Sequence, residues 1–171
     1  GHLGWKTEDT FTGIDESTLS MEIGRFDYSI GTAMLINDGG SDGGERGGWY
    51  IGLRKAFQNG AKISLDSKTL KAQIFDFKNN PRRGGPQGEA RGTNVDYTFG
   101  DSGVSIGGSY MRIYPEGNQA DADVYDGRAS WTALPGLTFS GEYAYEDSSD
   151  INGKGYYAQA LYEFSDVAWK P

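Results

Sequence analysis

Apolar and polar side chains alternate along most of the chain, most clearly between residues 137 and 164. In 137–145 every second residue is apolar or glycine, and Thr138, Ser140 and Glu142 stand between them. Residues 156–164 alternate in a similar way. A period of two residues is typical of β-strands with one apolar face. The pattern predicts a hairpin whose apolar face carries aromatic and small residues rather than Leu, Ile and Val.

The same alternation recurs along the chain, and helical periodicity is hard to find. We predict strands at 19–36, 48–57, 61–78, 92–99, 103–115, 122–133, 136–146 and 154–164. The alternation in 61–78 shifts near Phe75 and Phe77, which predicts a bulge or a second turn. Residues 1–18 are interpreted as an N-terminal extension whose first residues, Gly1 and His2, are consistent with a cloning scar.

Long and short connections alternate between these strands, which predicts an up-and-down meander with all the long loops at one end. The predicted long loops are 37–48, 79–92, 115–122 and 146–155, and the tight turns are 58–60, 100–103 and 134–136. Outer-membrane barrels have short periplasmic turns and longer extracellular loops, whereas a Greek-key sandwich does not sort its loops. The predicted fold is therefore all-β, an antiparallel up-and-down meander forming an outer-membrane-type β-barrel over residues 19–171. About eight strands are visible.

Composition bears on what the apolar face touches. The chain has 11 Tyr, 8 Phe and 4 Trp beside 27 Gly, and its mean hydropathy is -0.61. A buried tyrosine needs a partner for its hydroxyl, whereas aromatic residues near strand ends are typical of membrane interfaces. The aromatic residues predicted near strand ends are Phe57, Phe99, Tyr114, Trp131, Tyr145 and Phe164. The pattern favours a lipid-facing surface, and a soluble β-barrel or sandwich that binds a ligand or carbohydrate is the alternative.

Two arginines conflict with a lipid-facing surface, because Arg25 and Arg112 share the parity of apolar neighbours. An arginine facing lipid at the bilayer midplane costs roughly 2–4 kcal/mol. We therefore expect a bulge to turn these side chains inward, or a position at the level of the lipid headgroups.

Both ends of the chain resemble a known family. The segment LSMEIGRFDYSIGTAMLIND (19–38) resembles a strand of bacterial outer-membrane porins of the alginate-export type. The segment GYYAQALYEFSDVAWKP (155–171) resembles a strand-turn-strand of the same group, and the middle of the chain agrees only in style. The resemblance implies a location in the bacterial outer membrane and a channel for anionic sugars or other small solutes.

Such porins have more strands than the eight predicted, so two interpretations stay open. The chain is a segment of a larger porin, or it closes by itself into a non-conducting eight-stranded structural barrel whose interior is filled by side chains.

Charged and polar residues on the opposite parity are the predicted lining of the channel. These pore-lining candidates are Arg54, Lys62, Asp126, Arg128, Glu142 and Gln159. Arg82, Arg83 and Arg91 cluster in the predicted loop 79–92, where they are candidates for attracting an acidic solute. A solvated loop is the simpler interpretation of that cluster, and we favour it.

Charge and composition narrow the function classes. A net charge of -8 argues against nucleic acid, and the predicted partners are the lipid bilayer and small solutes. Cysteine is absent and His2 is the single histidine, which excludes Ser-His-Asp, Cys-His and zinc arrangements. The acidic glycine-rich loops 37–48 and 146–155 lack the spacing of calcium sites. We predict neither an enzyme nor a cofactor or metal, although a pair of carboxylates of the glycosidase kind stays open.

Overall fold

The computed structural model describes residues 2–8, 17–36, 57, 59–79, 88–150 and 152–164. These residues form nine strands in one antiparallel sheet, and the strands lie side by side in chain order. The strands are β1 His2–Glu8, β2 Thr18–Gly24, β3 Asn59–Asp66, β4 Leu70–Lys78, β5 Gly88–Thr98, β6 Val104–Pro115, β7 Ala122–Leu134, β8 Leu137–Ser148 and β9 Gly153–Tyr162. None of the described residues forms a helix that is long and apolar enough to cross a membrane.

The predicted all-β, up-and-down antiparallel arrangement is confirmed, but the sheet is not closed into a barrel. Within the described ranges, β1 pairs only with β2 and β9 pairs only with β8. The strand β1 lies inside the segment that the sequence assigned to an N-terminal extension, and His2 lies opposite Gly24. Leu3 and Trp5 alternate with Gly4 and Lys6 in β1, but this alternation is too short to have predicted a strand.

The long predicted strand 61–78 is two strands, so a second turn is confirmed, but it lies at 67–69 and not near Phe75 and Phe77, which are inside β4. The turn between β3 and β4 is stabilised by Ser67, whose N–H donates to the Leu70 carbonyl at 2.8 Å. The Leu70 N–H in return donates to Ser67 Oγ at 3.0 Å. This reciprocal bonding reverses the chain in three residues.

The predicted strand 19–36 is wrong beyond Gly24, where a positive φ of 121° ends the strand. Residues 25–36 leave the sheet, although Phe26, Tyr28 and Ile30 are buried and the residues between them are not. The alternation in this segment therefore reports burial with a period of two and not strand pairing.

The predicted tight turn at 58–60 is also wrong, because Asn59 and Gly60 belong to β3. Of the predicted strand 48–57, all but Phe57 lies outside the described residues.

Most of the longer connections lie at one end of the sheet, as predicted, although 149–152 at that end is shorter than 99–103 at the other. The long-loop end carries the connections 25–58, 79–87, 116–121 and 149–152, and the short-turn end carries 67–69, 99–103 and 135–136. The connection 9–17 also lies at the short-turn end and is longer than the rest there. Gly100, Gly103 and Gly136 have φ values of 48°, 71° and 85°, which a side chain rarely tolerates. Glycine is what makes these turns tight.

The sheet has two chemically different faces. The aromatic face carries rows of directly opposite residues, of which one runs Met21, Ile63, Ile74, Thr93, Tyr110, Tyr125 and Tyr145. The polar face carries the alternate rows, of which one runs Ser20, Ser64, Gln73, Asn94, Ser109 and Asp126. Because opposite residues of paired strands share a face, each row keeps its chemistry across the sheet.

The apolar core lies between the polar face and the segment 25–36, at the long-loop end. It contains Phe26, Tyr28, Ile30, Ile36, Phe57, Phe75, Phe77, Met111 and Val124. The rings of Phe57 and Phe77 stack with centroids 3.7 Å apart, and Phe75 stacks on Phe77 at 5.1 Å. Phe57 was predicted near a strand end at an interface, and it is instead buried in this core.

Gly92 offers a test of this packing. A methyl group added at Gly92 would lie 2.7 Å from Phe75 Cζ and 2.9 Å from Met111 Cα. We expect Gly92→Ala to lower the free energy of unfolding by about 1–3 kcal/mol in denaturant titrations. Gly127→Ala is the matched control, because no atom lies within 4 Å of a methyl group added there. An equal loss at the two positions would contradict the close packing of β5 on β4 and β6.

Candidate functional site

Three of the predicted pore-lining residues come together on the polar face. Arg128 lies directly opposite Glu142 in the β7–β8 pair, and Asp126 is on the same face of β7. Lys62 shares this face, but it lies on β3 and pairs with Glu22 at 2.8 Å. Gln159 is exposed on β9 opposite Ser140.

The remaining candidates are not part of this group. Arg54, Arg82 and Arg83 lie outside the described residues. Arg91 was predicted in a loop, which is wrong, because it lies in β5. It is on the aromatic face, where its Nε lies 2.8 Å from Asp76 Oδ2.

The guanidinium of Arg128 is the centre of the site, and only 8% of the side chain is exposed. Its Nε and Nη2 donate to Asp96 Oδ1 at 2.9 and 2.7 Å, and its Nη1 donates to Ser109 Oγ at 3.0 Å. Nη1 also donates to Asp126, and Nη2 donates to Asn94. The five bonds engage all five N–H donors that a guanidinium possesses.

The network continues across the sheet toward β3. Asn94 Nδ2 donates to Gln73 Oε1 at 3.1 Å, and Gln73 Nε2 donates to Ser64 Oγ at 3.2 Å. The Tyr28 hydroxyl donates to the same Gln73 oxygen at 2.8 Å. Burial raises the pKa of Tyr28 above its ordinary value, so the phenol stays a donor. The row of polar residues is thus bonded from β3 to β7.

Glu142 joins the segment 25–36 to the site. Its Oε2 accepts hydrogen bonds from the Thr32 N–H at 2.8 Å and from Thr32 Oγ1 at 2.7 Å. Gly31 precedes Thr32 with a φ of 56°, and a methyl group there would lie 2.7 Å from Glu142 Oε2. Glycine is therefore required at this position by both conformation and space.

Carboxylates outnumber cations in the site. Asp96, Asp126 and Glu142 surround the one guanidinium of Arg128. Asp126 Oδ1 and Glu142 Oε1 are buried and have no hydrogen-bond partner among the described residues. A buried oxygen without a donor is costly, so among the described residues the site holds more negative charge than Arg128 balances.

Sequence reasoning missed part of this network. Asn94, Ser109 and Gln73 could have been found, because they share the parity of Asp126 along paired strands. Tyr28 and Thr32 could not, because residues 25–36 were predicted as a strand in the sheet. Their contacts depend on how that segment folds back over the polar face.

The loops that were considered for calcium have another role where they are described. The Asp150 carboxylate accepts a hydrogen bond from the Ala120 N–H at 3.1 Å, which joins two loops of the long-loop end. In the described ranges, no group of three or more His, Asp or Glu side chains is arranged to hold a metal ion. The loop 37–48 lies outside these ranges.

Comparison of the chain with protein-family models, with curated proteins and with solved structures found no match. The resemblance to alginate-export porins therefore stays a prediction from the sequence.

The energetic role of the buried guanidinium can be measured. We expect Arg128→Met to lower the free energy of unfolding by about 3–5 kcal/mol, because buried carboxylates lose their cation. Adding Asp126→Asn should recover part of that loss. Arg91→Met is the control, because Arg91 and Asp76 are each more than half exposed, and it should cost about 0–1 kcal/mol.

Equilibrium unfolding in urea measures all three variants. Similar losses for Arg128→Met and Arg91→Met would show that the network does not depend on the buried charge.

Proposed function

We propose that the chain is part of the wall of a bacterial outer-membrane β-barrel, and that its polar face lines a channel for small polar solutes. One observation carries the proposal: the large apolar side chains of the aromatic face are exposed, whereas the polar and charged side chains at the centre of the polar face are buried. Tyr143 and Tyr156 are 49% and 85% exposed, whereas Asn94 and Glu142 are 2% and 3% exposed. A sheet folded in water normally has the opposite arrangement.

The extent of the exposed surface supports lipid as its environment. The aromatic face carries large apolar side chains on every strand from β1 to β9. Soluble monomers rarely expose a continuous apolar surface of this breadth. Lipid chains would cover it without leaving polar groups unpaired, because the backbone bonds are satisfied between neighbouring strands.

Both borders of the apolar surface have the composition of a membrane interface. At the long-loop end a charged row crosses four strands, formed by Asp76, Arg91, Arg112 and Asp123. At the short-turn end aromatic pairs lie along the strand ends, formed by Tyr97 with Phe99, Trp131 with Phe139, and Tyr162 with Phe164. Outer-membrane barrels have such aromatic girdles around an apolar band.

The charged row offers a place for Arg112. Its Nη2 lies 3.3 Å from Asp121 Oδ2, and its guanidinium carbon lies 5.7 Å from the centre of the Tyr114 ring. In the proposed membrane orientation, these contacts support a position of Arg112 at the headgroup level, beyond the apolar band. Arg25 follows the end of β2 and is not in the sheet.

A barrel has no free edge, so the proposal requires partners for β1 and β9. Unpaired edges attract further strands. The two edges pair with each other or with additional strands, and additional strands would widen the interior.

A non-conducting structural barrel is the second candidate, and the segment 25–36 favours it. This segment covers the polar face at the long-loop end through the Tyr28–Gln73 and Thr32–Glu142 hydrogen bonds. An interior filled in this way would pass little solute.

The lipid-facing surface is tested by placing arginine at two positions of β8 on the aromatic face. Tyr143→Arg should destabilise the protein folded in lipid vesicles by roughly 2–4 kcal/mol, the cost of arginine near the bilayer midplane. Asp147→Arg is the matched control, because Asp147 lies opposite Asp123 of the charged row, and it should cost about 0–1 kcal/mol. Two small and equal effects would mean that water, not lipid, surrounds the aromatic face.

Conductance separates the two candidate functions. Purified protein should require detergent, migrate differently on gels before and after heating, and produce ion currents in a planar bilayer. Heat-modifiable protein without measurable current would favour the structural barrel. Protein that stays folded and monomeric in plain buffer would contradict both and favour the soluble alternative.

A further inference from the structure

A depression opens on the polar face between Arg128 and the short-turn end. Its volume is about 250 Å³, and it accommodates a small molecule rather than a drug-sized one. The polar groups at its walls belong to Thr32, Asp96, Ser105, Ser130 and Ser140. Gly107 forms part of the floor, and a methyl group there would lie 2.7 Å from Arg128 Nε. The absence of a side chain at Gly107 keeps the depression open.

A row of uncharged polar side chains runs along this depression. Thr98, Ser105, Ser130, Ser140 and Gln159 lie directly opposite one another from β5 to β9. Thr98 and Ser105 share a hydrogen bond of 3.0 Å. The hydroxyls of Ser130 and Ser140 have no hydrogen-bond partner among the described residues, and each can both donate and accept. The row therefore presents free groups that complement another hydroxyl.

The described residues offer no free cationic group to an anion in the same depression. All five N–H donors of Arg128 are engaged by groups of the chain, mainly Asp96 and Asp126. Lys62, which is also on the polar face, is paired with Glu22 and lies against the rings of Phe26 and Tyr28. The surplus of carboxylates makes the local potential negative, which repels an anion.

We infer that this depression binds one ring of a neutral, hydroxyl-rich solute, and that the polar face selects neutral sugars over anionic ones. The inference rests on the proposed channel function and specifies its solute class. Ser130 and Ser140 contact the solute hydroxyls, and Asp96, which lines the depression, accepts from them through Oδ2, whose bond within the chain comes from Asn94 Nδ2 at 2.9 Å. Arg128 positions Asp96 and does not serve as the anion receptor.

Three matched ligands test the charge preference on the full chain in detergent micelles. A neutral hexose, the corresponding hexuronate and the corresponding hexosamine share a ring and differ in charge. Titration followed by NMR should give saturable binding of the neutral hexose and at least tenfold weaker binding of the hexuronate. Tighter binding of the hexuronate, or no saturable binding of the hexose, overturns the inference.

Variants locate the binding site. Ser130→Ala with Ser140→Ala should weaken hexose binding about three- to tenfold, because two hydrogen bonds are lost. Thr93→Ala is the control, because it removes a hydroxyl from the aromatic face and should change nothing. Asp96→Asn should reduce the difference in affinity between the hexose and the hexuronate, because it removes a negative charge from the depression and one acceptor of Arg128.

The unfolding midpoint of each variant shows whether it folds. An unchanged affinity of the folded serine variant, or an unchanged charge preference of folded Asp96→Asn, would exclude this site. The arginine substitutions at positions 143 and 147 report on the membrane proposal separately. If Tyr143→Arg destabilises the protein in vesicles and Asp147→Arg does not, the membrane proposal holds. Tighter binding of the hexuronate in the same protein would then refute the solute class alone.

Discussion

The buried guanidinium of Arg128 is the interaction on which the rest of the polar face depends. Its five hydrogen bonds reach Asn94 and Asp96 on β5, Ser109 on β6 and Asp126 on β7. Such a charge is stable away from water only when carboxylates and further hydrogen bonds compensate it. The sheet supplies them because Gly107 lies directly opposite both Asp96 and Arg128, and without a side chain there the guanidinium reaches across β6. The register of three strands, β5 to β7, is therefore tied to one side chain.

The placement of this charge decides the character of both faces. Successive side chains of a strand point to opposite faces of the sheet. Because the charged network occupies the polar face, which the segment 25–36 covers, the apolar residues between its members lie on the aromatic face. Among the described residues, the covered side has an apolar core where the segment 25–36 adds Phe26, Tyr28 and Ile30 and where Phe57 joins them. Elsewhere it is lined by hydroxyls and carboxylates. This division between the two faces is the basis of the proposal that lipid covers the aromatic face and that solutes pass along the polar one.

The two hydrogen-bonded anchors of the segment 25–36 explain why it does not continue β2. Tyr28 reaches Gln73 and Thr32 reaches Glu142, so the segment lies across the strands rather than beside one of them. Those partners are about 45 and 110 residues away in sequence. A contact between residues so far apart leaves no pattern in the local sequence. The local pattern here is misleading, because Phe26, Tyr28 and Ile30 alternate with polar residues as they would in a strand. Arg91 shows the same limit, because a glycine-rich stretch concealed the start of β5.

The alternation by itself determined the all-β class, the up-and-down order and the strands from β5 to β9 to within a few residues, because burial on one face imposes a period of two. It also placed Asp126, Arg128 and Glu142 on one face, since parity fixes the side of a strand. Only the tertiary structure decided which residues pair across strands, that 25–36 folds inward, and that the sheet is open among the described residues. Those outcomes depend on hydrogen bonds and packing between residues far apart in the chain, and local periodicity carries no record of them.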